Sequence, residues 1–185
     1  MFDLRKSHNN PIYEREKSQD VFSLTSTGSH IFYGCRNHNV YPFCLNTFTT
    51  LANLQPPHFD VVTSLAMMNN GSTLVSGSRD KNLRLYNLSN PAFPETSNVL
   101  TAHNDHINVL ETDESQKFLY SGSRDGIVKV WQEQNQDLQL MATLEGNAQH
   151  NSINTICKLN STESAGQAFA IGSADKSIRI YRVSD

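Results

Sequence analysis

The sequence lacks several things that would have placed it quickly. No apolar run approaches the ~18–20 residues a bilayer-spanning helix needs, so membrane insertion is not expected. Basic residues form no block: 15 Lys+Arg stand against 18 Asp+Glu, for a net charge of −3. That balance gives no electrostatic footprint for nucleic acid or an anionic surface. Cysteine is scarce, with only Cys35, Cys44 and Cys157, an odd count at no metal-ligand spacing. Three such residues fit a reducing compartment, the cytoplasm, better than a disulfide framework. No charged-then-apolar leader opens the chain. There is no GxxxxGK(S/T) loop, no nucleophile elbow and no paired zinc ligands, so neither an enzyme nor a cofactor is expected. No segment has the 3.6-residue period of an amphipathic helix.

What is present is repetition. The string SGSRDGIVKVW, from Ser121 to Trp131, recurs as SGSRDKNLRLY from Ser76 to Tyr86 and as IGSADKSIRIY from Ile171 to Tyr181. A worn copy, YGCRNHNVYPF, runs from Tyr33 to Phe43. The glycines at 34, 77, 122 and 172 are spaced by 43, 45 and 50 residues. A period of roughly 40–50 residues ending in strand, turn, strand and aromatic points to an all-β propeller.

Each copy reads as a hairpin. Residues 117–121 form one strand and 127–131 the next, joined by Arg124-Asp125-Gly126. Aspartate bonds its own backbone there, and glycine accepts positive φ. Alternation sets Val128 and Val130 on one face and Lys129 on the other, a pattern repeated by Leu83-Arg84-Leu85 and Ile178-Arg179-Ile180. A lone hairpin is not stable in water, so the units must stack.

A histidine precedes each turn. His58 lies 22 residues before Asp80, His103 lies 22 before Asp125, and His150 lies 25 before Asp175. Three histidines and three aspartates invite a metal-binding or catalytic reading. Their recurrence once per unit argues against it, because the pairs would sit in different blades instead of meeting in one pocket. With these residues in view, the chain resembles WD-repeat β-propellers. In that family such a His, a Ser on the second strand, the turn Asp and the Trp of the third strand form a buried hydrogen-bond chain. The resemblance implies the full set His103, Ser121, Asp125 and Trp131. It implies a second set of His58, Ser76 and Asp80, with Tyr86 replacing Trp, and a third of His150, Asp175 and Tyr181, with Ile171 where Ser is expected. In the worn copy Asn37 and Phe43 stand for Asp and Trp, and no histidine precedes at a fitting distance.

At ~40–45 residues per blade, the 185 residues supply about four blades. The expected division is 1–19 as the end of a preceding blade plus a polar loop, 20–54 as a degenerate blade, 55–101 and 102–145 as blades, and 146–185 as a last blade without its outer strand. The worn blade should have its outer strand at 47–54, and Pro42 in its third strand removes a ladder donor. Phe2-Asp3 resembles the Trp-Asp end of a repeat, 41 residues before Phe43. The chain is therefore expected to be a piece of a longer protein, or a half-ring completed by a second polypeptide.

Arg36, Arg79 and Arg124 each precede a turn Asp or Asn, which puts them on one rim of a propeller. Arginine is favoured at interface hot spots, so these three, with Phe59 and His106, form a candidate surface for a protein or peptide partner. Finally, PPHFD from Pro56, AHND from Ala102, IVKVW from Ile127 and SINTIC from Ser152 are similar to the C-terminal propeller of kinesin-4-type motors. That resemblance implies a non-catalytic scaffold or adaptor in a motor's tail, with a cytoskeletal location and microtubule association.

Overall fold

The computed structural model describes residues 19–89, 95–145, 151–159 and 167–183. They form four antiparallel sheets in chain order. The first holds β1 (Val21–Ser26), β2 (His30–Cys35), β3 (Val40–Cys44) and β4 (Thr49–Thr50). The second holds β5 (Val62–Met68), β6 (Thr73–Ser78), β7 (Asn82–Asn87) and β8 (Glu95–Thr101). The third holds β9 (Ile107–Thr112), β10 (Phe118–Ser123), β11 (Ile127–Gln134) and β12 (Asp137–Glu145). The fourth holds β13 (Ile153–Leu159), β14 (Gln167–Ser173) and β15 (Ile178–Val183). Each sheet is a meander, and the first strand of each packs on the first strand of the next, β1 on β5, β5 on β9 and β9 on β13. That is a propeller arc with β1, β5, β9 and β13 innermost.

The turn between second and third strands is made alike in every blade. Gly126 takes it at φ 82°, and Lys81, Lys176 and His38 adopt the same left-handed conformation at φ 72°, 66° and 71°. The three non-glycine residues accept a strain of about 1 kcal/mol each, and at Lys81 and Lys176 the carboxylate of the residue before accepts the backbone N–H of Asn82 or Ser177 across the turn.

Cohesion lies between the blades. Phe32 and Val40 of the first pack with Val62 and Leu65 of the second. Leu83 and Leu85 meet Ile107 and Leu110 of the third, and Tyr120 and Val128 meet Ile153, Ile156 and Phe169 of the fourth. Each fully buried aliphatic or aromatic side chain contributes about 1.5–3 kcal/mol. In the first three blades the glycine of the second strand is the seat for the first residue of the next blade's innermost strand. A Cβ on Gly34 would lie 2.6 Å from Val62 Cγ1, on Gly77 2.8 Å from Ile107 Cγ2, and on Gly122 2.6 Å from Ile153 Cγ2.

Every innermost strand carries a bulge at one place. Pairing skips Phe22, Thr63, Asn108 and Asn154. A bulged residue is turned out of the pleat and re-aimed. Thr63 Oγ1 donates to Ile107 O (2.5 Å) and Asn108 Nδ2 to Ile153 O (2.8 Å), tying one blade to the next.

The outer strand of the first blade is shorter than its sequence suggests: only Thr49–Thr50 pairs, not 47–54. Leu51 N donates to Pro42 O (2.9 Å) and Leu54 N to Val40 O (2.9 Å), but Pro42 has no N–H to return. A bond pair reduced to one bond ends the ladder early.

The arc is open. Ile178 and Ile180 are 78% and 66% exposed, whereas Leu83 and Leu85, in the same places of the second blade, are wholly buried. At the other end Val21 and Leu24 are 41% and 66% exposed, while their counterparts Val62, Ile107 and Ile153, and Leu65, Leu110 and Ile156, are buried.

Candidate functional site

Two polar constellations rise from this frame. The first lies inside the blades. In the third blade Trp131 Nε1 donates to Ser121 Oγ (2.8 Å), Ser121 Oγ meets His103 Nε2 (2.7 Å), and His103 Nδ1 meets Asp125 Oδ2 (3.2 Å). An indole only donates, so the serine hydroxyl gives its own hydrogen to the imidazole and the imidazole gives one to the carboxylate. Asp125 also accepts from the backbone N–H of Asn104 and Ile127. In the second blade His58 Nε2 lies 2.7 Å from Ser76 Oγ and Nδ1 2.8 Å from Asp80 Oδ2, with Phe59 N and Asn82 N donating to the same carboxylate. Burial pushes both aspartates up, but the imidazoles and backbone donors outweigh it and hold Asp80 and Asp125 down to about 2. Burial also lowers the pKa of His58, so its ring is neutral at physiological pH. Tyr86, in the place of Trp131, is buried, and burial raises its phenol.

His150 lies outside the described residues, which show other partners of the turn carboxylate in the fourth blade. Asp175 accepts from Ser177 N (3.0 Å), Ser177 Oγ (2.6 Å) and the guanidinium of Arg179, which together hold its carboxyl well below the usual range. Ile171 is buried where serine stands elsewhere, and Tyr181 stacks on Phe169. In the worn blade Asn37 Nδ2 donates to Tyr41 OH (3.0 Å). Tyr41 and Arg179 occupy the same strand position as Arg84 and Lys129. Where a histidine holds the turn carboxylate, that side chain turns away: Lys129 Nζ donates to Ala102 O (2.6 Å), and Arg84 lies 5.8 Å from the Phe59 ring centre. The bonds of Asn37 to Tyr41 and of Asp175 to Arg179, four residues on, were not read from the sequence.

The second constellation is a cleft of about 380 Å³ lined by Arg79, His106, Asn108, Arg124, Ser152 and Asn154. The turns of the second and third blades supply the arginines. The bulges of β9 and β13 supply Asn108 and Asn154. Arg124 Nε lies 3.8 Å from Asp105 Oδ2 and His106 Nε2 3.7 Å from Asp105 Oδ1. Arg79 has no ion pair among the described residues. Ser152 Oγ accepts from Asn108 Nδ2 (2.9 Å) and donates to Asn154 Oδ1 (3.1 Å). The cleft therefore offers two guanidiniums and an amide-rich floor, a setting for a carboxylate or another anionic group. Of the five rim residues expected from sequence, Arg79, His106 and Arg124 meet here. Arg36 instead pairs with Asp20 in the first blade (3.1 Å), and Phe59 stands exposed beside Arg84. Asn108, Ser152 and Asn154 carried no motif. Among the described residues no three His, Cys, Asp or Glu side chains gather as metal ligands, and no helix is long and apolar enough to cross a membrane.

Comparison with known proteins agrees with this geometry. The WD domain, G-beta repeat family matches residues 44–87 and 94–132. The chain is a WD-repeat β-propeller of about four blades. These WD repeats are 30% identical to the human kinesin-like protein KIF21A over 167 residues, 88% of the chain and 9% of that protein. They are 32% identical to the maize guanine nucleotide-binding protein subunit beta over 100 residues, 48% of the chain and 26% of that protein. The chain thus matches less than a tenth of the kinesin-like protein and about a quarter of the G-beta subunit. In shape it is similar to the computationally designed Ika4 protein, with a TM-score of 0.72 at 17% identity, over 91% of this chain and 94% of that one. These likenesses support a protein-interaction domain.

Proposed function

We propose that the chain is a non-catalytic WD-repeat scaffold that binds a protein or peptide by seating an acidic side chain or C-terminal carboxylate between Arg79 and Arg124. The observation that carries this reading is the convergence of both guanidiniums, from different blades, on one cleft floored by Asn108, Ser152 and Asn154. Bidentate guanidinium–carboxylate bonds give orientation as well as affinity. The polar ties inside the blades serve the fold, since each imidazole is already committed to a Ser and an Asp of its own blade. Fluorescence anisotropy with a labelled glutamate-rich peptide and an uncharged control tests the cleft. Arg79→Ala with Arg124→Ala should weaken the acidic peptide at least tenfold and leave the control unchanged. Equal affinity of the wild type and the double variant for the acidic peptide would overturn it.

The likeness to the human kinesin-like protein favours a place in the tail of such a motor, in the cytoplasm and at the cytoskeleton. Co-sedimentation with purified microtubules tests that placement. A second reading, a half-ring completed by another polypeptide, is favoured by the apolar residues left exposed at both ends of the arc.

A further inference from the structure

Phe59 lies outside the cleft, and an unmatched charge stands beneath it. Arg84 is 2% exposed, yet among the described residues it makes no hydrogen bond and no ion pair, and its Nε is buried without a partner. A guanidinium carries five N–H donors and keeps its proton, so burying one without acceptors destabilises the free protein. The same strand position is satisfied in the other three blades. Lys129 Nζ donates to Ala102 O (2.6 Å), Arg179 pairs with Asp175, and Tyr41 OH accepts from Asn37 Nδ2 (3.0 Å). Asp80, the turn carboxylate of the Arg84 blade, is already filled: Oδ2 meets His58 Nδ1 and Phe59 N, and Oδ1 accepts from Asn82 N. What Arg84 has instead is the Phe59 ring, with Cζ 5.8 Å from its centroid, near the outer limit of a cation–π contact. That ring is itself 82% exposed. An apolar side chain left in water thus lies over a charge left without an acceptor, and exposed side chains change rotamer quickly enough to uncover it.

We infer that Phe59 and Arg84 form a second peptide-binding subsite, in which a partner's glutamate or aspartate carboxylate pairs with Arg84 while Phe59 packs on the apolar residue beside that acid. The carboxylate brings the two acceptor oxygens that the guanidinium fork lacks. The apolar neighbour takes the ring out of water. An uncharged acceptor would leave the buried charge unneutralised, and an acid among polar neighbours would leave the ring exposed, so the site selects for both features together. It lies at the same end of the second blade as the cleft, because Phe59 N donates to Asp80 (2.9 Å) and Arg79 N to Val61 O (3.0 Å). The inference does not rest on the cleft, since neither Phe59 nor Arg84 lines it.

Fluorescence anisotropy on the full chain carrying Arg79→Ala and Arg124→Ala, which silences the cleft, reads this subsite alone. The probes are labelled peptides of alternating glutamate and leucine, glutamine and leucine, and glutamate and serine. The first should bind at least tenfold tighter than either of the others. Arg84→Met should erase its margin over the glutamine peptide, and Phe59→Ser its margin over the serine peptide. Melting temperature supplies a readout that a merely structural arginine would move the other way. An apolar side chain in place of an unsatisfied buried charge stabilises, so Arg84→Met should melt higher while it binds less. Should that variant fail to fold, Arg84→Gln also removes the charge and keeps a polar tip. Equal affinity for the glutamate–leucine and glutamine–leucine peptides, or a glutamate preference that survives loss of the charge, would overturn the subsite. So would a folded Arg84→Met variant that melts lower, because the charge would then be satisfied in the free chain. Each of these results leaves the cleft reading standing, which is tested on the chain that keeps Arg79 and Arg124.

Discussion

Trp131 Nε1 donates to Ser121 Oγ over 2.8 Å, and this bond sets the direction of the hydrogens along the tie to His103 and Asp125. Ser121→Ala would strand two buried groups, the indole N–H and the imidazole Nε2. Each unsatisfied group costs about 1–3 kcal/mol, so a loss of about 3 kcal/mol is expected from urea unfolding at neutral pH. Ser76→Ala should cost less, because the Tyr86 hydroxyl is both donor and acceptor and can turn toward His58. A loss below about 1 kcal/mol for Ser121→Ala would show that the tie is not cooperative.

Acid should unfold the protein in two stages. Burial lowers the pKa of His58, so below the unfolded value of about 6.5 the unfolded chain binds a proton that the folded chain refuses. Stability therefore begins to fall as pH drops through that value. Asp80 and Asp125 are held to about 2 by their imidazoles and backbone donors, against the upward push of burial. Their contribution is complete above the unfolded carboxylate value of about 3.9 and is lost between about pH 4 and pH 2. Melting temperature followed downward from neutral pH should show both limbs, and His58→Asn should flatten the first. A wild-type melting temperature that is constant between about pH 7 and pH 5 would contradict this account.

Alternation and turn chemistry made the strands legible because they are local. SGSRD and its copies place β6, β10 and β14 and the turns after them within a residue or two. What the sequence hid was set between blades. The bulges at Thr63, Asn108 and Asn154 depend on backbone register, which leaves no residue signature. The cleft needs Arg79 and Arg124 from different blades to lie side by side, an outcome of stacking. Arg84 alternates with Leu83 and Leu85, which suggests solvent, yet it is buried because a blade is covered on both faces.

Close packing at the glycine seats predicts coupling across blades. A Cβ at Gly122 would lie 2.6 Å from Ile153 Cγ2 and 2.8 Å from Val109 Cγ1. Gly122→Ala should destabilise by about 1–3 kcal/mol through overpacking, and Ile153→Ala by about 2–5 kcal/mol through the cavity left. The double variant removes the clash with Ile153 Cγ2 and leaves the one with Val109 Cγ1, so its loss should fall short of the sum by about 1 kcal/mol. Strict additivity would mean the blades part freely at this seat.

Pro42 offers the most direct test of why the first blade is worn. Leu51 N donates to Pro42 O (2.9 Å), and the proline nitrogen faces the same neighbour without a hydrogen. Pro42→Ala restores an N–H at nearly constant volume, and in a regular antiparallel pair the residue that donates to a carbonyl also accepts from the same residue's N–H. Releasing proline also widens the unfolded ensemble by about 0.4–1 kcal/mol, close to the ~1 kcal/mol a new hydrogen bond contributes. Global stability should therefore barely move, and the effect should appear in local protection instead. The new amide at residue 42 should be protected and exchange at Leu51 should slow, as the outer strand lengthens from its two residues at Thr49–Thr50. If residue 42 exchanges at a solvent rate while Leu51 is unchanged, the proline is not what ends this ladder.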